Sequence, residues 1–183
     1  MIPISDERES GKFPILTITL ILINAVVFLF IFFNLDFFIQ EFGFIPEKVK
    51  NGERLYTFLS SLFIHASFSH LIGNLWFLWI FGDNVEAKIG RIKFLILYFL
   101  SGLGSLILFS FTTSNKTIPV VGASGAISGI LGAYLVLFPK NKIKAIVPFF
   151  YFYRIVSIPA LFYIGIWFLY QFLYMSVDPF VAY

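Results

Sequence analysis

The sequence predicts an all-α protein that crosses a membrane several times, and three observations lead to this fold class. Of its 183 residues, 59% are hydrophobic and only 13% are charged, whereas about a quarter of the residues of a soluble domain are charged. Apolar runs of about 20 residues recur, each long enough to cross a ~30 Å hydrocarbon layer as a helix. The lysines and arginines stand in short loops between these runs, which is a topology signal and not a nucleic-acid-binding pattern. We therefore expect a lipid bilayer as the environment and no nucleic acid as a partner.

Five such runs follow a polar tail of mixed charge, Met1–Lys12. They are Phe13–Asn34, a run from about Phe68 into GDNVEAKIG, Phe94–Phe111, Val120–Phe138 and Ile155–Met175. Residues 1–12 are therefore predicted as a cytoplasmic tail and residues 13–183 as one membrane domain. Two aromatic stretches, FFIQEFGFIP and Ile143–Tyr153, are expected to lie in the membrane interface and not to cross it.

The distribution of positive charge predicts the orientation. If all five runs are spans, nine lysines and arginines fall on the side of the N-terminus and four on the other side. Because cytoplasmic loops carry the excess of positive charge, the N-terminus is predicted to be cytoplasmic. We expect an integral, multi-pass protein of a prokaryotic plasma membrane. The chain contains no cysteine, which excludes disulfides and thiolate metal sites.

The run Val120–Tyr134, VVGASGAISGILGAY, combines a serine with many small residues. Ser124 stands near the predicted start of a helix, where free N–H groups and the positive end of the helix dipole gather. Such a position can stabilise a negatively charged oxygen. The alternative interpretation is close helix packing of the Gly-xxx-Gly kind, from Gly125 to Gly129.

His70 and Asn74 form a second polar feature, ahead of the serine. Four residues apart on a helix, they lie on the same face, and both can donate a hydrogen bond to a developing negative oxygen. An unpaired polar group is costly in a bilayer, so the pair should face a wet cavity or other protein. The alternative role is hydrogen bonding between helices. His65 and His70 are five residues apart with no carboxylate beside them, so no metal site is expected.

Together, FIHASFSHLIGNLWFLWIFGDNVEAKIG and VVGASGAISGILGAY resemble the signature segments of the rhomboid family of intramembrane serine proteases. The first has the family's His-x-x-x-Asn on the second span and then its Gly-xxx-Glu-xxx-Gly, at residues 82–90. The second has the Gly-x-Ser-Gly of the fourth span. Arg54 matches the arginine of the family's loop motif, although Glu53 stands where a tryptophan is usual. The resemblance covers Arg54–Tyr174 and implies a helical bundle with five of six core transmembrane helices present.

The resemblance also implies a function, that of an intramembrane serine endopeptidase. It would cleave transmembrane or juxtamembrane segments of membrane proteins, and it would need no cofactor. Ser124 would be the nucleophile. His70, Asn74 and the backbone N–H of Ser124 would stabilise the oxyanion, and Gly122 would shape the approach to it. Ser128 stands where the family often has an aromatic residue that stacks on the base.

The family's general base, a histidine on the sixth span, is missing. His65 and His70 are the only histidines, and both precede Ser124. A nucleophilic serine needs such a base, so the chain as given is expected to be inactive. Two explanations stay open: a protease sequence that ends before its sixth helix, which we favour, or an inactive relative that binds transmembrane helices without cutting them. A small transporter or channel is a more distant alternative, because the polar residues converge on two spans only.

Overall fold

The computed structural model describes residues 1–6, 13–149 and 152–177, so residues 7–12 of the predicted tail lie outside the described part. In the described part the chain forms eight α-helices and three β-strands. In chain order they are β1 (Ile2–Asp6), α1 (Ile15–Ile31), α2 (Leu35–Phe42), α3 (Pro46–Lys50), α4 (Thr57–Ser60), α5 (Phe68–Ile89), α6 (Arg91–Thr112), α7 (Ser124–Leu137), β2 (Lys142–Phe149), β3 (Phe152–Pro159) and α8 (Ala160–Val177). The fold is therefore mostly helical, as predicted.

The carboxylate of Glu86 joins the start of α1 to the last turn of α5. Glu86 is only 3% exposed. It accepts hydrogen bonds from the backbone N–H groups of Leu16 (3.0 Å) and Thr17 (2.8 Å) and from the Thr17 hydroxyl (2.8 Å). The first N–H groups of a helix have no partner within it, and the negative carboxylate supplies one. We name this end of the bundle the lower end, and the end where α5 begins the upper end.

Helices α6 and α7 pack closely, because glycines on α7 leave room for serines on α6. A Cβ atom added to Gly125 would lie 1.8 Å from the Oγ of Ser105, and one added to Gly129 would lie 1.8 Å from the Oγ of Ser101. Both separations are far below van der Waals contact, so a side chain fits at neither position without a shift of its neighbour. The Gly-xxx-Gly spacing therefore serves close helix packing, which is one of the two interpretations of this run.

Each of the five predicted runs contains a helix, but two of these helices begin a full turn or more after the start of the run. Helix α7 begins at Ser124 and not at Val120, because Val120 pairs with Phe44 through two backbone hydrogen bonds (2.8 and 2.9 Å). Helix α8 begins at Ala160, because the residues from 155 to 159 belong to β3. The backbone N–H of Ala160 donates to the Asn141 carbonyl (2.9 Å), so α8 starts at the lower end, where α7 ends.

Two helical segments of the described residues are long and apolar enough to cross a membrane, Ile15–Phe42 and Arg91–Thr112. The first is longer than the ~20 residues that one crossing needs, and the 3-10 turn Phe32–Asn34 divides it into α1 and α2. Helix α2 contains part of the first aromatic stretch. Its Ile39 is buried, whereas Phe37 is 61% exposed. A membrane-spanning α1 followed by an interfacial α2 stays a prediction of the sequence.

An antiparallel sheet with the strand order β1-β2-β3 corrects the all-α prediction. Strand β1 comes from the predicted tail, and most of the stretch Ile143–Tyr153, predicted as interfacial, lies in β2 and β3. The reason is local alternation: Lys142 and Lys144 are exposed, whereas Ile143 and Ala145 are both 0% exposed and join the main core. A period of two buries one face of a strand, and pairing with neighbouring strands satisfies its backbone polar groups.

Strand β1 lies alongside α5 and ties it to α8. The indole N–H of Trp76 on α5 donates to the Pro3 carbonyl (2.7 Å), and nearer the lower end the Asn84 amide donates to the Asp6 carboxylate (2.5 Å). On the other side, the hydroxyl of Tyr163 on α8 donates to the carbonyl of the first residue (3.3 Å). The first six residues are therefore part of the folded bundle and not a separate tail.

The close approach of α6 and α7 leads to a stability prediction. We expect Gly129→Ala to lower the unfolding temperature in detergent, because its Cβ would overlap the Ser101 side chain; overpacking of this kind typically costs about 1–3 kcal/mol. The measurement is thermal unfolding followed by circular dichroism. Gly132→Ala is the matched control on the same helix, because a Cβ there meets nothing within 4 Å. The packing account would be wrong if both variants unfolded at the same temperature, or if adding Ser101→Gly failed to restore Gly129→Ala.

Candidate active site

The segment from Val120 to Ala123 carries the chain into α7 and is held in place by backbone hydrogen bonds. Val120 pairs with Phe44, and the backbone N–H of Gly122 donates to the Ser61 carbonyl (2.8 Å). Gly122 has φ = +115°, in the region that L-residues with side chains rarely adopt. Glycine is therefore required here by its backbone conformation, before any contact with the site is considered.

His70 and Asn74 lie on one face of the first turns of α5, as their spacing predicts. The Ser67 hydroxyl caps this helix by accepting from the backbone N–H of His70 (3.1 Å). The amide nitrogen of Asn74 donates to the His70 carbonyl (3.0 Å). A primary amide has two N–H donors, so one of them is available beyond this bond. The capped helix start thus fixes both side chains relative to the backbone of α5.

Gly122 contacts this face of α5 directly. A Cβ atom added to Gly122 would lie 2.7 Å from both Cε1 and Nε2 of the His70 ring and 3.8 Å from Nδ2 of Asn74. The missing side chain is what allows the loop backbone to approach the imidazole so closely. The structure therefore brings together three of the four residues that the sequence singles out, His70, Asn74 and Gly122.

Ser124, the fourth residue, is the first residue of α7 and is exposed. It follows Gly122 by two positions, which limits their Cα separation to about 7 Å. Among the described residues, no side-chain hydrogen bond caps α7, so the N–H groups of its first turn keep the partial positive charge of a helix start. The Ser128 hydroxyl donates to the Ser124 carbonyl (2.8 Å) and therefore serves the helix backbone.

Other polar residues stand between Ser60 and His70 in the sequence, and they divide into two groups. Ser60 and Ser67 have hydrogen-bond partners in the backbone: the Ser60 hydroxyl donates to the Phe42 carbonyl (2.8 Å), and the Ser67 hydroxyl caps α5. Ser61 and His65 are buried, and among the described residues no partner bonds to the Ser61 hydroxyl or to either ring nitrogen of His65. The His65 ring lies 5.2 Å from that of His70. Buried polar groups of this kind are usually satisfied by ordered water, so this cluster favours a hydrated space behind His70.

His65 is poorly suited to act as a base toward Ser124. His65 lies in the loop before α5 and is 0% exposed. Burial lowers the pKa of His65 to about 3, and the neighbouring His70 ring acts in the same direction. An imidazole with so low a pKa is a weak base at neutral pH. His70 contacts the Gly122 loop from α5. A protonated ring nitrogen at this position can donate a hydrogen bond to a negatively charged oxygen.

Arg54 lies outside this site and caps a different helix. Its guanidinium donates to the Gln40 carbonyl (2.7 Å) and to the Glu41 carboxylate (2.7 Å), at the last turn of α2. The last carbonyl groups of a helix have no partner within it, and a cation supplies one. The Tyr56 hydroxyl also donates to the Glu41 carbonyl (3.0 Å). The sequence did not identify Glu41 as the partner of Arg54. The two residues are 13 positions apart and belong to different segments, so no helical or strand periodicity links them.

The arrangement at the upper end is suited to stabilising a negatively charged oxygen beside a serine hydroxyl. Hydrogen-bond donors lie on two elements there, the side chains of His70 and Asn74 on α5 and the N–H groups at the start of α7. Preorganised donors of this kind are the usual means of binding a tetrahedral oxyanion. Within the described residues, no three histidine or carboxylate side chains lie close enough together to bind a metal ion.

The fold and the site together define a class: a mostly helical membrane protein with a serine at a helix start, preceded by a glycine that lies against polar side chains of a neighbouring helix. Comparison with known sequences identifies the family. Residues 52–183, more than half of the chain, match the Rhomboid domain. The chain belongs to the rhomboid family, a family of integral membrane proteins with a helical fold, which confirms the resemblance derived from the motifs.

Individual relatives match about half of the chain. RHOMBOID-like protein 6, mitochondrial, of Arabidopsis thaliana is 37% identical over 89 residues, which cover 49% of this chain and 28% of that protein. The "Putative rhomboid protease YdcA" of Bacillus subtilis is 36% identical over 97 residues, covering 52% and 48% respectively. Rhomboid protein 1, mitochondrial, of Saccharomyces cerevisiae is 32% identical over 110 residues, covering 58% and 31%. The chain thus spans less than half the length of each of these relatives.

The contact between Gly122 and His70 leads to a prediction about the site. We expect Gly122→Ala to displace the His70 ring and to destabilise the protein, because the new Cβ would overlap the imidazole and the backbone would stay in a strained conformation, at a cost of about 1–3 kcal/mol. Since the chain has only two histidines, nitrogen NMR of ¹⁵N-histidine-labelled protein resolves the ring directly.

Gly73→Ala is the control for this measurement. Gly73 lies on α5 next to Asn74, and a Cβ there meets nothing within 4 Å. The His70 ring signals should move in Gly122→Ala and stay in place in Gly73→Ala. Unchanged His70 signals in Gly122→Ala would show that the loop does not contact the imidazole.

Proposed function

We propose that this chain forms the oxyanion-binding part of an intramembrane serine endopeptidase, with Ser124 as the nucleophile. The observation that carries the proposal is the contact of Gly122 with His70 and Asn74, which places hydrogen-bond donors of α5 beside the turn that leads into Ser124. Membership of a family that includes serine proteases supports it at the level of the family.

The reaction assigns each residue a separate role. The Ser124 oxygen attacks the carbonyl carbon of a peptide bond, and the negative charge that forms on the carbonyl oxygen is stabilised by His70, Asn74 and the N–H of Ser124. Gly122 leaves the space through which the carbonyl approaches. Removing one such donor typically lowers kcat by about 10²–10³. The unpaired atoms of Ser61 and His65 line the side from which water would reach the acyl-enzyme for hydrolysis.

The serine hydroxyl must give its proton to a base, and the base passes this proton to the amine that leaves when the C–N bond of the peptide breaks. The resemblance assigns neither His65 nor His70 to this role. A histidine outside these 183 residues would have to act as base, as the resemblance to the family implies. We therefore propose that the 183-residue chain alone turns over peptides very slowly or not at all. Loss of the base histidine from a serine protease typically lowers kcat by about 10⁶.

We propose membrane-anchored proteins as substrates and a prokaryotic plasma membrane, with the N-terminus in the cytoplasm, as the location. Large apolar side chains cover the outside of the bundle, for example Phe30 (79% exposed) on α1 and Phe111 (83% exposed) on α6. Surfaces of this kind are suited to lipid, and a substrate segment would reach the site from within the bilayer. The excess of lysine and arginine in the loops at the lower end supports the orientation.

The absence of a suitably placed histidine also favours a second function, binding without cleavage. In that case the polar site at the upper end would engage a transmembrane helix by hydrogen bonding, and Ser124 would take part as a hydroxyl and not as a nucleophile. The two functions share the fold and differ in whether Ser124 is activated.

Labelling with a fluorophosphonate, which reacts with activated serines, tests the state of Ser124. We expect the 183-residue chain in detergent or nanodiscs to be labelled no more than its Ser124→Ala variant, because no base deprotonates the hydroxyl. Ser128→Ala is the control for the other serine of the α7 face. Strong labelling that disappears in Ser124→Ala and persists in Ser128→Ala would show that a group of this chain activates the serine.

The proposed roles of Ser124 and Asn74 are tested by cleavage of a single-span membrane protein. The enzyme used is this chain fused to a further helix that carries a histidine base. Ser124→Ala should abolish cleavage, and Asn74→Ala should lower kcat by about 10²–10³ with little change in KM, because its amide acts in the transition state. Gly73→Ala should cleave normally. If Ser124→Ala still cut the substrate, Ser124 would not be the nucleophile; if Asn74→Ala changed KM alone, its amide would bind substrate and not the oxyanion.

A further inference from the structure

A groove at the upper end of the bundle has no part in the site around Ser124. It has a volume of about 980 Å³ and lies between α3 and α4 on one side and the last turns of α6 with the following loop on the other. This volume is at the upper limit of the range for small-molecule sites. No residue of the candidate active site lines it, so a ligand in the groove would leave Ser124 accessible.

The floor of the groove is apolar and largely aromatic. Phe44 and Phe58 contribute rings that pack on each other with their centroids 5.0 Å apart. Ile107 and Phe111 line the α6 side and are 47% and 83% exposed. Because α6 is one of the two segments long enough to cross a membrane, its exposed apolar residues belong at the depth of lipid chains. The floor is therefore suited to an acyl chain.

The rim of the groove carries charges of both signs. Lys50 and Lys116 line it together with Glu47. Glu47 and Lys50 are three residues apart on α3, which places them on the same side of that helix. The backbone N–H of Glu47 donates to the Lys116 carbonyl (3.0 Å), so α3 and the loop after α6 hold the rim together. The Lys116 ammonium donates one hydrogen bond to the Ser110 carbonyl and has two further N–H donors.

We propose that this groove binds one phospholipid with an ethanolamine headgroup, from the leaflet at the upper end. The ammonium groups of Lys50 and Lys116 hold the phosphate, the Glu47 carboxylate holds the ethanolamine ammonium, and an acyl chain lies on the aromatic floor. The pairing of two cations with one carboxylate matches a headgroup that contains both an anion and a hydrogen-bonding cation. A choline headgroup lacks N–H donors for Glu47, and a glycerol headgroup lacks the positive charge.

The absence of cysteine from the sequence allows a reporter to be placed in the groove. Ser114→Cys, which lines the groove, is labelled with a small fluorophore, and the full chain is reconstituted in phosphatidylcholine vesicles. Leu100→Cys is the control position, because it is 62% exposed on α6 and outside the groove. Increasing fractions of lipid with brominated chains then quench the fluorophore wherever that lipid resides. Phosphatidylethanolamine, phosphatidylglycerol and phosphatidylcholine are compared in turn.

Brominated phosphatidylethanolamine should quench the groove reporter at several-fold lower mole fraction than phosphatidylcholine does, and the control reporter should respond equally to all three lipids. Lys50→Gln and Lys116→Gln should each raise the mole fraction of brominated phosphatidylethanolamine that half-quenches the groove reporter by about fivefold. This is the factor expected for one lysine at a lipid surface. Lys48→Gln, on α3 but not lining the groove, should have no effect. Glu47→Gln should remove the preference for phosphatidylethanolamine over phosphatidylglycerol.

Two results would overturn the proposal. Equal quenching of the groove reporter by all three lipids would mean that the groove holds bulk lipid without recognition. Stronger quenching by phosphatidylglycerol than by phosphatidylethanolamine in the wild-type chain would mean that Glu47 takes no part and that only the lysines attract lipid. Thermal unfolding of each variant accompanies the titration, so that a loss of folding is not read as a loss of lipid binding.

Discussion

The upper end of this protein depends on one steric condition, the absence of a side chain at Gly122. At that position a single methyl group would overlap the imidazole of His70, and the loop would have to move away from α5. Two further glycines of the same segment, Gly125 and Gly129, let α7 contact the serines of α6. The three positions act together: two of them let α7 pack closely against α6, and the third lets the loop that leads into α7 lie against His70 on α5.

Polar groups in an apolar surrounding explain the rest of the framework. Glu86 satisfies N–H groups at the start of α1, and Arg54 satisfies carbonyl groups at the end of α2. An unpaired charged side chain in or near a bilayer has a high free-energy cost. Each of these two contacts gives a hydrogen-bond partner both to the charged side chain and to the backbone groups at a helix end. The polar residues of this family's motifs thus serve two purposes. Some hold helix ends, and others, such as His70 and Asn74, face the candidate site.

The sequence predicted the parts of the fold that depend on local pattern. The approximate positions of the five longest apolar helices and the common face of His70 and Asn74 follow from apolar runs and helical spacing. The sheet was missed because IKAIVPFFYFY was interpreted by its aromatic content; its alternation of lysine with Ile143 and Ala145 was the available signal for a strand. The bond between Gly122 and Ser61 could not be predicted, because it joins segments about 60 residues apart and no periodicity links them.

The structure also separates two requirements of serine catalysis that are usually treated as one. Three contacts order the proposed oxyanion donors: the Ser61 carbonyl on Gly122, the Ser67 cap on α5 and the Asn74 amide on the His70 carbonyl. None of these three contacts involves a base. On the proposed function, the donors would therefore stay in place with or without a base, and loss or gain of the base would change only the reactivity of Ser124.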